Sequence, residues 1–246
     1  MTITDLSISY VNTAILEHIN FSISSNTHLS ILGPNGSGKS TLAKALCGLL
    51  PYEGSIKIDG KELCDISPKQ RATLITYIPA KMQSFEQFTT VEDFVLLGRY
   101  PYKPTFKDYG AEDKKIVEEI LSELNLSGLR SHKLHALSSG QQQLVLIAQA
   151  LAQQSKILIF DEPTSNLDPK NTALFVKELK RLRKDHTTIT ISHDIQLAAH
   201  LDDPVLFINE AKAEFHEKGF FNTDYLSYAY GVTFQKDKGM IGISYV

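Results

Sequence analysis

A glycine-rich octapeptide near the start of the chain constrains the fold more than any other feature. The run Gly33-Pro34-Asn35-Gly36-Ser37-Gly38-Lys39-Ser40 fits the pattern G-x-x-x-x-G-K-[ST]. It follows the apolar segment His28–Leu32 and precedes an amphipathic segment from about Lys39 to Leu49, which predicts a strand, a turn and a helix. Because glycine lets successive N–H groups point inward and a helix N-terminus is electropositive, such a turn suits phosphate. The sequence therefore predicts a nucleoside-triphosphate site.

Two side chains of this loop are expected to carry chemistry. Lys39 should reach the β- and γ-phosphates, and the Ser40 hydroxyl should ligate Mg²⁺. The alternative, a glycine-rich turn with a chance lysine, is disfavoured by the strand before it and the helix after it. The predicted nucleotide-binding residues of this segment are Gly33, Pro34, Asn35, Gly36, Ser37, Gly38, Lys39, Ser40 and Thr41.

An acidic pair forms the second candidate element. Asp161 and Glu162 follow the wholly apolar run Ile157-Leu158-Ile159-Phe160. In an open parallel sheet, ligands bind at the carboxyl ends of the strands, so both acids should face the phosphate loop. Asp161 is suited to the Mg²⁺ shell, and Glu162 is placed to orient or deprotonate the attacking water. Read alone, the pair would be a solvated turn, but beside a phosphate loop we interpret it as catalytic.

The remaining pattern indicates an α/β fold with a helical insertion. Strands are expected at the start and end of the chain, whereas residues 83–153 show helical periodicity. Continuous apolar strands flanked by helices are typical of a parallel sheet buried on both faces. The expected strands are Thr2–Tyr10, Ile19–Ile23, His28–Leu32, Ser55–Ile58, Lys156–Phe160, Thr187–Ile191 and Pro204–Ile208, and the further expected helices are Thr90–Leu97, Glu112–Leu124, Gly140–Gln153 and Lys170–Lys184.

Composition narrows the class of protein. The 246 residues carry a formal net charge of -3, so no global basic field suggests a nucleic-acid partner. The two cysteines, Cys47 and Cys64, form no disulfide framework or metal-ligand spacing. The N-terminus lacks the features of a signal peptide, and no apolar run approaches the roughly 20 residues that span a bilayer. A membrane role would therefore require docking to another chain.

Several further segments give the chain a family resemblance. Leu137-Ser138-Ser139-Gly140-Gln141 resembles the LSGGQ signature of ABC transporter ATPases, with Ser139 in place of one glycine. By itself this segment would be a helix cap. A lone histidine such as His193, or a tyrosine in a strand such as Tyr10, would by itself be interpreted as a structural residue. Ser165-Asn166-Leu167-Asp168 resembles the D-loop at the dimer seam, His193 the switch histidine that contacts the γ-phosphate, and Tyr10 the aromatic that stacks on adenine. Ser192 beside His193 could suggest a hydrolase dyad, but no nucleophile elbow is present.

The resemblance covers essentially the whole chain and implies a single ABC ATPase domain. Its fold would be a P-loop NTPase (RecA-like) core with an antiparallel β subdomain, residues 1–82 and 154–246, and a helical subdomain, residues 83–153. It implies ATP and Mg²⁺ as cofactors and catalytic roles for Lys39, Glu162 and His193. Across a homodimer, Ser138, Ser139, Gly140, Gln141 and Asp168 would complete the partner's nucleotide site. Each pair would serve integral membrane permease subunits on the cytoplasmic face of the bacterial inner membrane.

One position departs from the family pattern. Tyr77-Ile78-Pro79 resembles the run before the Q-loop glutamine, but the next residue is Ala80. In the family this glutamine helps to ligate Mg²⁺ and links the helical subdomain to the permease. Gln83 could substitute if the loop shifts, or the metal could keep a water in that place. We expect slower ATP hydrolysis, or altered coupling to the permease, than in relatives that carry glutamine at this position.

The segment from Thr90 to Tyr102, above all Gly98-Arg99-Tyr100-Pro101, is similar to the ATPases of importers for iron–siderophore complexes, haem and vitamin B12. The end of the chain from Leu226 onward resembles the short extension of that group. A periplasmic or lipoprotein substrate-binding protein would then take part indirectly. Two alternatives remain. A soluble ABC ATPase would be expected to contain tandem cassettes, a coiled coil or a basic tail. A P-loop kinase would not require the segment Leu137–Gln141.

Overall fold

The computed structural model describes residues 1–11, 13–82, 89–104, 106–165, 167–237 and 240–244. These residues form two compact units, one from Met1–Asp65 with Thr188–Val246 and one from Ile66–Thr187. The strands are β1 (Thr2–Tyr10), β2 (Thr13–Ser22), β3 (His28–Leu32), β4 (Glu53–Ile58), β5 (Lys61–Glu62), β6 (Ile75–Ile78), β7 (Ile157–Asp161), β8 (Thr187–Ile191), β9 (Val205–Asn209), β10 (Lys212–His216), β11 (Phe234–Asp237) and β12 (Met240–Ile243). The helices are α1 (Lys39–Leu46), α2 (Pro68–Ala72), α3 (Val91–Leu96), α4 (Ala111–Glu123), α5 (Ser139–Ala152), α6 (Pro169–Leu182), α7 (Ile195–Leu201) and α8 (Thr223–Tyr230).

An antiparallel sheet forms one layer of the first unit, with the strand order β2-β1-β4-β5. In β1 the apolar residues Ile3, Leu6 and Ile8 are buried while their neighbours are mostly exposed. Alternation of this kind is expected for a strand with one face on a core, which confirms the predicted first strand. This sheet is the antiparallel β subdomain.

The second sheet of this unit holds the glycine-rich loop. Strand β3 pairs in parallel with both β8 and β9, and β10 extends the sheet antiparallel to β9. Strand β3 is buried at Leu29, Ile31 and Leu32, so it is covered on both faces, as the sequence predicts. Because β3 and β8 run in the same direction, the loops that follow them leave the sheet at the same edge.

The C-terminal segment packs on the end of β3 and β9. Leu226 of α8 and Phe234 of β11 join a buried cluster with Leu32 and Phe207. Leu32 and Phe207 are direct neighbours in the pairing of β3 with β9. The segment after α7 is therefore part of the core that supports the glycine-rich loop.

The second unit contains a pair of parallel strands and the helical segment. Strands β6 and β7 pair with Tyr77 opposite Ile159, and every residue of β7 is buried. Phe160 of β7 packs edge to face on Phe175 of α6, with ring centroids 5.6 Å apart. In the described part of residues 83–153 the main elements are α3, α4 and α5. Among the described residues, no helix has the length and apolar character needed to span a membrane.

Most predicted boundaries differ from the structure by one or two residues, and two differ by three or more. Helix α1 ends at Leu46 rather than near Leu49, because Cys47 caps it and Gly48 takes a positive φ of 64° that stops the helix. Strand β2 starts at Thr13 rather than Ile19, since the whole segment pairs with β1. The expected helix from Thr90 is confirmed, and Thr90 and Asp93 form a reciprocal capping box at the start of α3.

Arg99 anchors the segment after α3 to α5. The residue is 5% exposed, and its guanidinium donates to Asp113 Oδ1 at 2.9 Å and to the Ala152 carbonyl at 2.9 Å. It also donates to Gln154 Oε1 at 2.7 Å and lies 4.0 Å from the centroid of the Tyr102 ring. A buried cation needs such a set of partners, so this arginine fixes the 3₁₀ segment Leu97–Tyr102 against the helix.

Replacing Gly98 by alanine is expected to destabilise the protein strongly. A Cβ at this position would lie 2.2 Å from the Gln149 carbonyl oxygen of α5, and a backbone atom cannot move aside cheaply. We expect the free energy of unfolding to fall by about 2 kcal/mol or more, measured by urea denaturation. Gly128→Ala is the matched control, because its Cβ would meet nothing within 4 Å, and a change below about 0.5 kcal/mol is expected. Equal losses for both variants would contradict this packing.

Candidate active site

The glycine-rich loop is held tightly at its first residue. Gly33 has a φ of 150°, and a Cβ there would lie 2.1 Å from the Ile208 carbonyl oxygen of β9. At the other end Gly38 has a φ of 98° and forms the N-cap of α1. Only glycine combines these conformations with such close approaches, so the sequence pattern is explained by the backbone path. The loop therefore passes from the end of β3 to the start of α1 along a path that requires glycine at both ends.

Lys39 fastens this loop from inside. The side chain is 6% exposed, and its Nζ donates to the Gly33 carbonyl at 2.9 Å and to the Pro34 carbonyl at 2.8 Å. Its ammonium group thus lies beside the first two residues of the loop, next to the start of α1. A cation and a helix N-terminus beside a glycine-rich turn together favour a polyanion.

His193 follows the strand beside the loop. Ile31 of β3 pairs with Ile191 of β8, so Gly33 and His193 stand two residues beyond a matched pair of strand ends. His193 is exposed, whereas Ser192 is 2% exposed and its hydroxyl accepts a hydrogen bond from the Asp194 N–H at 2.9 Å. Ser192 thus shapes the turn into α7 through this bond. The first unit brings the loop and the predicted switch histidine to one edge.

The acidic pair lies at the end of β7 in the second unit. Asp161 is the last residue of the strand and is 5% exposed, and the Tyr77 hydroxyl donates to its Oδ2 at 2.5 Å. Glu162 has a φ of 48°, a left-handed conformation that is uncommon for a residue with a long side chain. Its carbonyl accepts from the Ser165 N–H at 3.2 Å and from the Ser165 hydroxyl at 3.0 Å. Strained backbone of this kind clusters at functional sites, which supports a special role for Glu162.

The signature-like segment forms the N-terminus of α5. Ser138 caps the helix, since its Oγ accepts from the Gln141 N–H at 3.3 Å and the Gln141 Oε1 accepts from the Ser138 N–H at 2.9 Å. Gly140 is buried, and a Cβ there would lie 2.3 Å from Asn171 Cγ of α6. Ser139 is exposed between them. The helix tip is thus closely packed on one side and open at Ser139.

The structure also gives the positions of Tyr10 and Asp168, two further residues that are predicted to bind nucleotide. Tyr10 ends β1, is paired with Thr13, and remains 46% exposed, which leaves its ring available for stacking. Asp168 caps α6 through the Asn171 N–H at 2.8 Å. Gln83 and Asn166, which the sequence suggested for the Q-loop and the D-loop, lie outside the described residues.

Ala80 opens onto a cavity of about 220 Å³. Gln143 lines the same cavity, is 5% exposed, and its Nε2 has no hydrogen-bond partner among the described residues. Ser139 also lines it. Alanine at position 80, where the sequence departs from the family pattern, therefore leaves an open space beside the N-terminus of α5.

Sequence reasoning missed three residues of this neighbourhood. Tyr77, Asn171 and Gln143 act through contacts that depend on strand register and helix packing. Tyr77 was noted only as part of the run before Ala80, and no pattern in the sequence relates it to Asp161.

The fold and these elements define a P-loop nucleotide-binding ATPase. A family model described as "ABC transporter" matches residues 16–165, well over half of the chain. The chain therefore belongs to the ABC transporter family and is one of its ATP-binding, ATP-hydrolysing members.

Three similar proteins have names that mention a metal or a metal chelate. The chain is 37% identical to the probable iron chelatin transport ATP-binding protein of Helicobacter pylori, over 86% of this chain and 84% of that protein. It is 35% identical to the manganese transport system ATP-binding protein MntB of Halalkalibacterium halodurans, over 85% of this chain and 82% of that protein. Among solved structures, an inward-facing ABC transporter described as of metal-chelate type matches with a TM-score of 0.85 and 25% identity, over 99% of this chain and 96% of that one.

Proposed function

We propose that this chain is the ATPase subunit of a bacterial importer for a metal ion or metal chelate, and that two copies bind ATP between them. The observation that carries the pairing is the tip of α5, where Ser139 is exposed while Gly140 is packed on Asn171. An open helix N-terminus attracts anions, so this one suits a phosphate group. A second copy's nucleotide is the natural ligand for it.

ATP binding in this proposal uses residues from both copies. One copy supplies the loop from Gly33 to Thr41, with Lys39 on the β- and γ-phosphates and Tyr10 stacked on adenine. The other copy supplies Ser139 and Gly140 at the helix tip. Ser138 and Gln141 cap that tip, and Asp168 caps α6, whose Asn171 packs on Gly140. The closed pair contacts ATP more extensively than the open pair, so binding favours closure.

Ser40 and Asp161 are the residues that would hold Mg²⁺. A hydroxyl and a carboxylate are hard oxygen donors, and Mg²⁺ in nucleotide sites takes one or two protein ligands with phosphate oxygens and water, so the donor set fits. When bound, Mg²⁺ neutralises charge on the phosphates. The Tyr77 hydroxyl donates a hydrogen bond to Asp161 Oδ2 at the strand end.

Hydrolysis is assigned to Glu162 and His193. Glu162 orients a water molecule and accepts its proton while the water oxygen forms a bond to the γ-phosphorus. The bond between that phosphorus and the β–γ bridging oxygen breaks, which leaves ADP and inorganic phosphate. His193 donates a hydrogen bond to the γ-phosphate, and Lys39 stabilises the charge on its oxygens.

The partners of the pair are two integral membrane permease subunits, contacted by the region from Gln83 to Tyr102. Gln83 lies outside the described residues, but Tyr100 in this region is 69% exposed on a segment that Arg99 anchors to α5. Because this surface is fixed to α5, a movement of α5 can be transmitted to a chain that is docked on the surface. The pair then sits at the cytoplasmic face of the inner membrane, and a periplasmic or lipoprotein substrate-binding protein takes part indirectly.

The cargo is tested by uptake in a deletion strain that carries either the wild-type gene or Glu162→Gln. Radiolabelled ferric siderophore, haem, cobalamin and manganese are offered separately. We expect one iron chelate, haem or cobalamin to require the wild-type gene. Loss of manganese uptake alone would decide for the metal ion and against the chelate within this proposal, and normal uptake of all four would contradict the importer.

Ala80→Gln is expected to raise ATPase activity about fivefold, since one added polar interaction contributes about 1 kcal/mol. The amide has room in the cavity beside Ala80, where the unpartnered Gln143 Nε2 can bind its oxygen or align it. Ala80→Met is the matched control, because it fills the same space without an amide. Steady-state phosphate release measures the effect. No increase, or an equal increase with methionine, would contradict the role of the missing glutamine.

A further inference from the structure

We propose that Tyr77 is a positioning residue for the metal–nucleotide site, because its hydroxyl holds the Asp161 carboxylate in its binding orientation. The inference rests on the proposed role of Asp161 toward Mg²⁺. It concerns the side chain of β6 that the sequence analysis did not assign.

Strand register places the two side chains side by side. Tyr77 lies opposite Ile159 in the parallel pairing of β6 with β7, and Asp161 is two residues further along β7. Residues two apart point to the same face of a sheet, so Tyr77 and Asp161 are diagonal neighbours on one face. The phenol spans this diagonal and donates to Asp161 Oδ2 at 2.5 Å.

Burial gives this hydrogen bond its importance. Asp161 is 5% exposed, and a carboxylate removed from water must be compensated by donors or by a cation. An ionised carboxylate only accepts, so the phenol must be the donor, and a bond to a charged acceptor is stronger than one between neutral groups. With one oxygen held by Tyr77, rotation of the carboxylate is restricted, and its other oxygen is kept in a fixed direction.

Tyr77→Phe removes only the hydroxyl and keeps the ring that packs in the sheet. Loss of a hydrogen-bonded partner behind a metal ligand typically lowers metal affinity by about 10-fold or more. We therefore expect the Kd for ATP in the presence of Mg²⁺ to rise about 10-fold, while the Kd for ATP in EDTA stays unchanged. Both constants are measured by fluorescence titration in a Glu162→Gln background, which prevents turnover.

Two controls separate positioning from folding. Tyr225→Phe also removes a hydrogen-bonded hydroxyl, the one bound to Glu214, and is expected to change neither Kd. In an Asp161→Ala background, Tyr77→Phe is expected to have no further effect, because the group it orients is gone. Melting temperatures check that each variant folds, and Mn²⁺ titration followed by electron paramagnetic resonance gives a second reading of metal affinity.

The outcomes distinguish the two proposals. An equal rise of the Kd in Mg²⁺ and in EDTA, no rise in either, or a persistent effect in the Asp161→Ala background would overturn the positioning role of Tyr77 and leave the ATPase assignment intact. If Asp161→Ala itself did not alter the Mg²⁺-dependent Kd, the metal role of Asp161 would fail, and the inference with it.

Discussion

Glu162→Gln is expected to reduce ATP hydrolysis by at least about 100-fold while ATP binding persists. A general base contributes roughly 10²–10⁴ to a rate, and glutamine has the same shape but accepts no proton. The left-handed backbone of Glu162 holds its side chain at the end of β7, next to Asp161. The isosteric change therefore removes the chemistry and leaves the site assembled.

The same variant is expected to dimerise with ATP. Because bound ATP holds the two copies together and is no longer consumed, the closed pair should accumulate. Light scattering after gel filtration should give twice the 27.4 kDa mass of one chain with ATP and the single-chain mass without it. Glu217→Gln, an exposed acid outside the site, is the control and should turn over ATP at the wild-type rate. A Glu162→Gln protein that stays monomeric at saturating ATP would contradict the paired site.

Lys39→Ala is expected to weaken ATP binding by roughly 100-fold. The substitution removes a charge–phosphate interaction, for which hydrogen bonds to charged groups contribute about 1.5–3 kcal/mol, and it also releases the loop. The loop is released because Lys39 no longer joins the Gly33 and Pro34 carbonyls. Lys39→Arg is also expected to weaken ATP binding, since a planar guanidinium differs in shape from the compact ammonium that fits this buried position.

Isothermal titration calorimetry measures this loss. Lys44→Ala on the same helix is the matched control, because Lys44 lies in the last turn of α1 and away from the loop. It should bind ATP like the wild type. Equal affinity of Lys39→Ala and Lys44→Ala for ATP would remove the loop from the nucleotide site.

The parts of the fold that local chemistry determines were predictable. Strand β7 is an unbroken apolar run up to its last residue, Asp161, and the turn at Gly33–Gly38 requires glycine at fixed positions, so the sequence indicates both. The cap at Thr90 is likewise a local pattern. These elements need no information about distant residues.

The parts that depend on register were not predictable. The bond from Tyr77 to Asp161 exists only because β6 pairs with β7 in one alignment, and no spacing in the sequence sets that alignment. Gly140 is required by its packing on Asn171 of another helix, which the signature resemblance does not explain. The C-terminal segment packs its aromatic residues on Phe207 and Leu32, a contact that no local pattern in the sequence indicates.

The position of the γ-phosphate in an ATP-loaded pair tests the central claim most directly. A structure of the Glu162→Gln protein with ATP and Mg²⁺ should place each γ-phosphate about 3 Å from Lys39 Nζ of one copy and about 3 Å from Ser139 Oγ or the Gly140 N–H of the other. A γ-phosphate contacted by residues of a single chain, with Ser139 remote from it, would contradict the shared site.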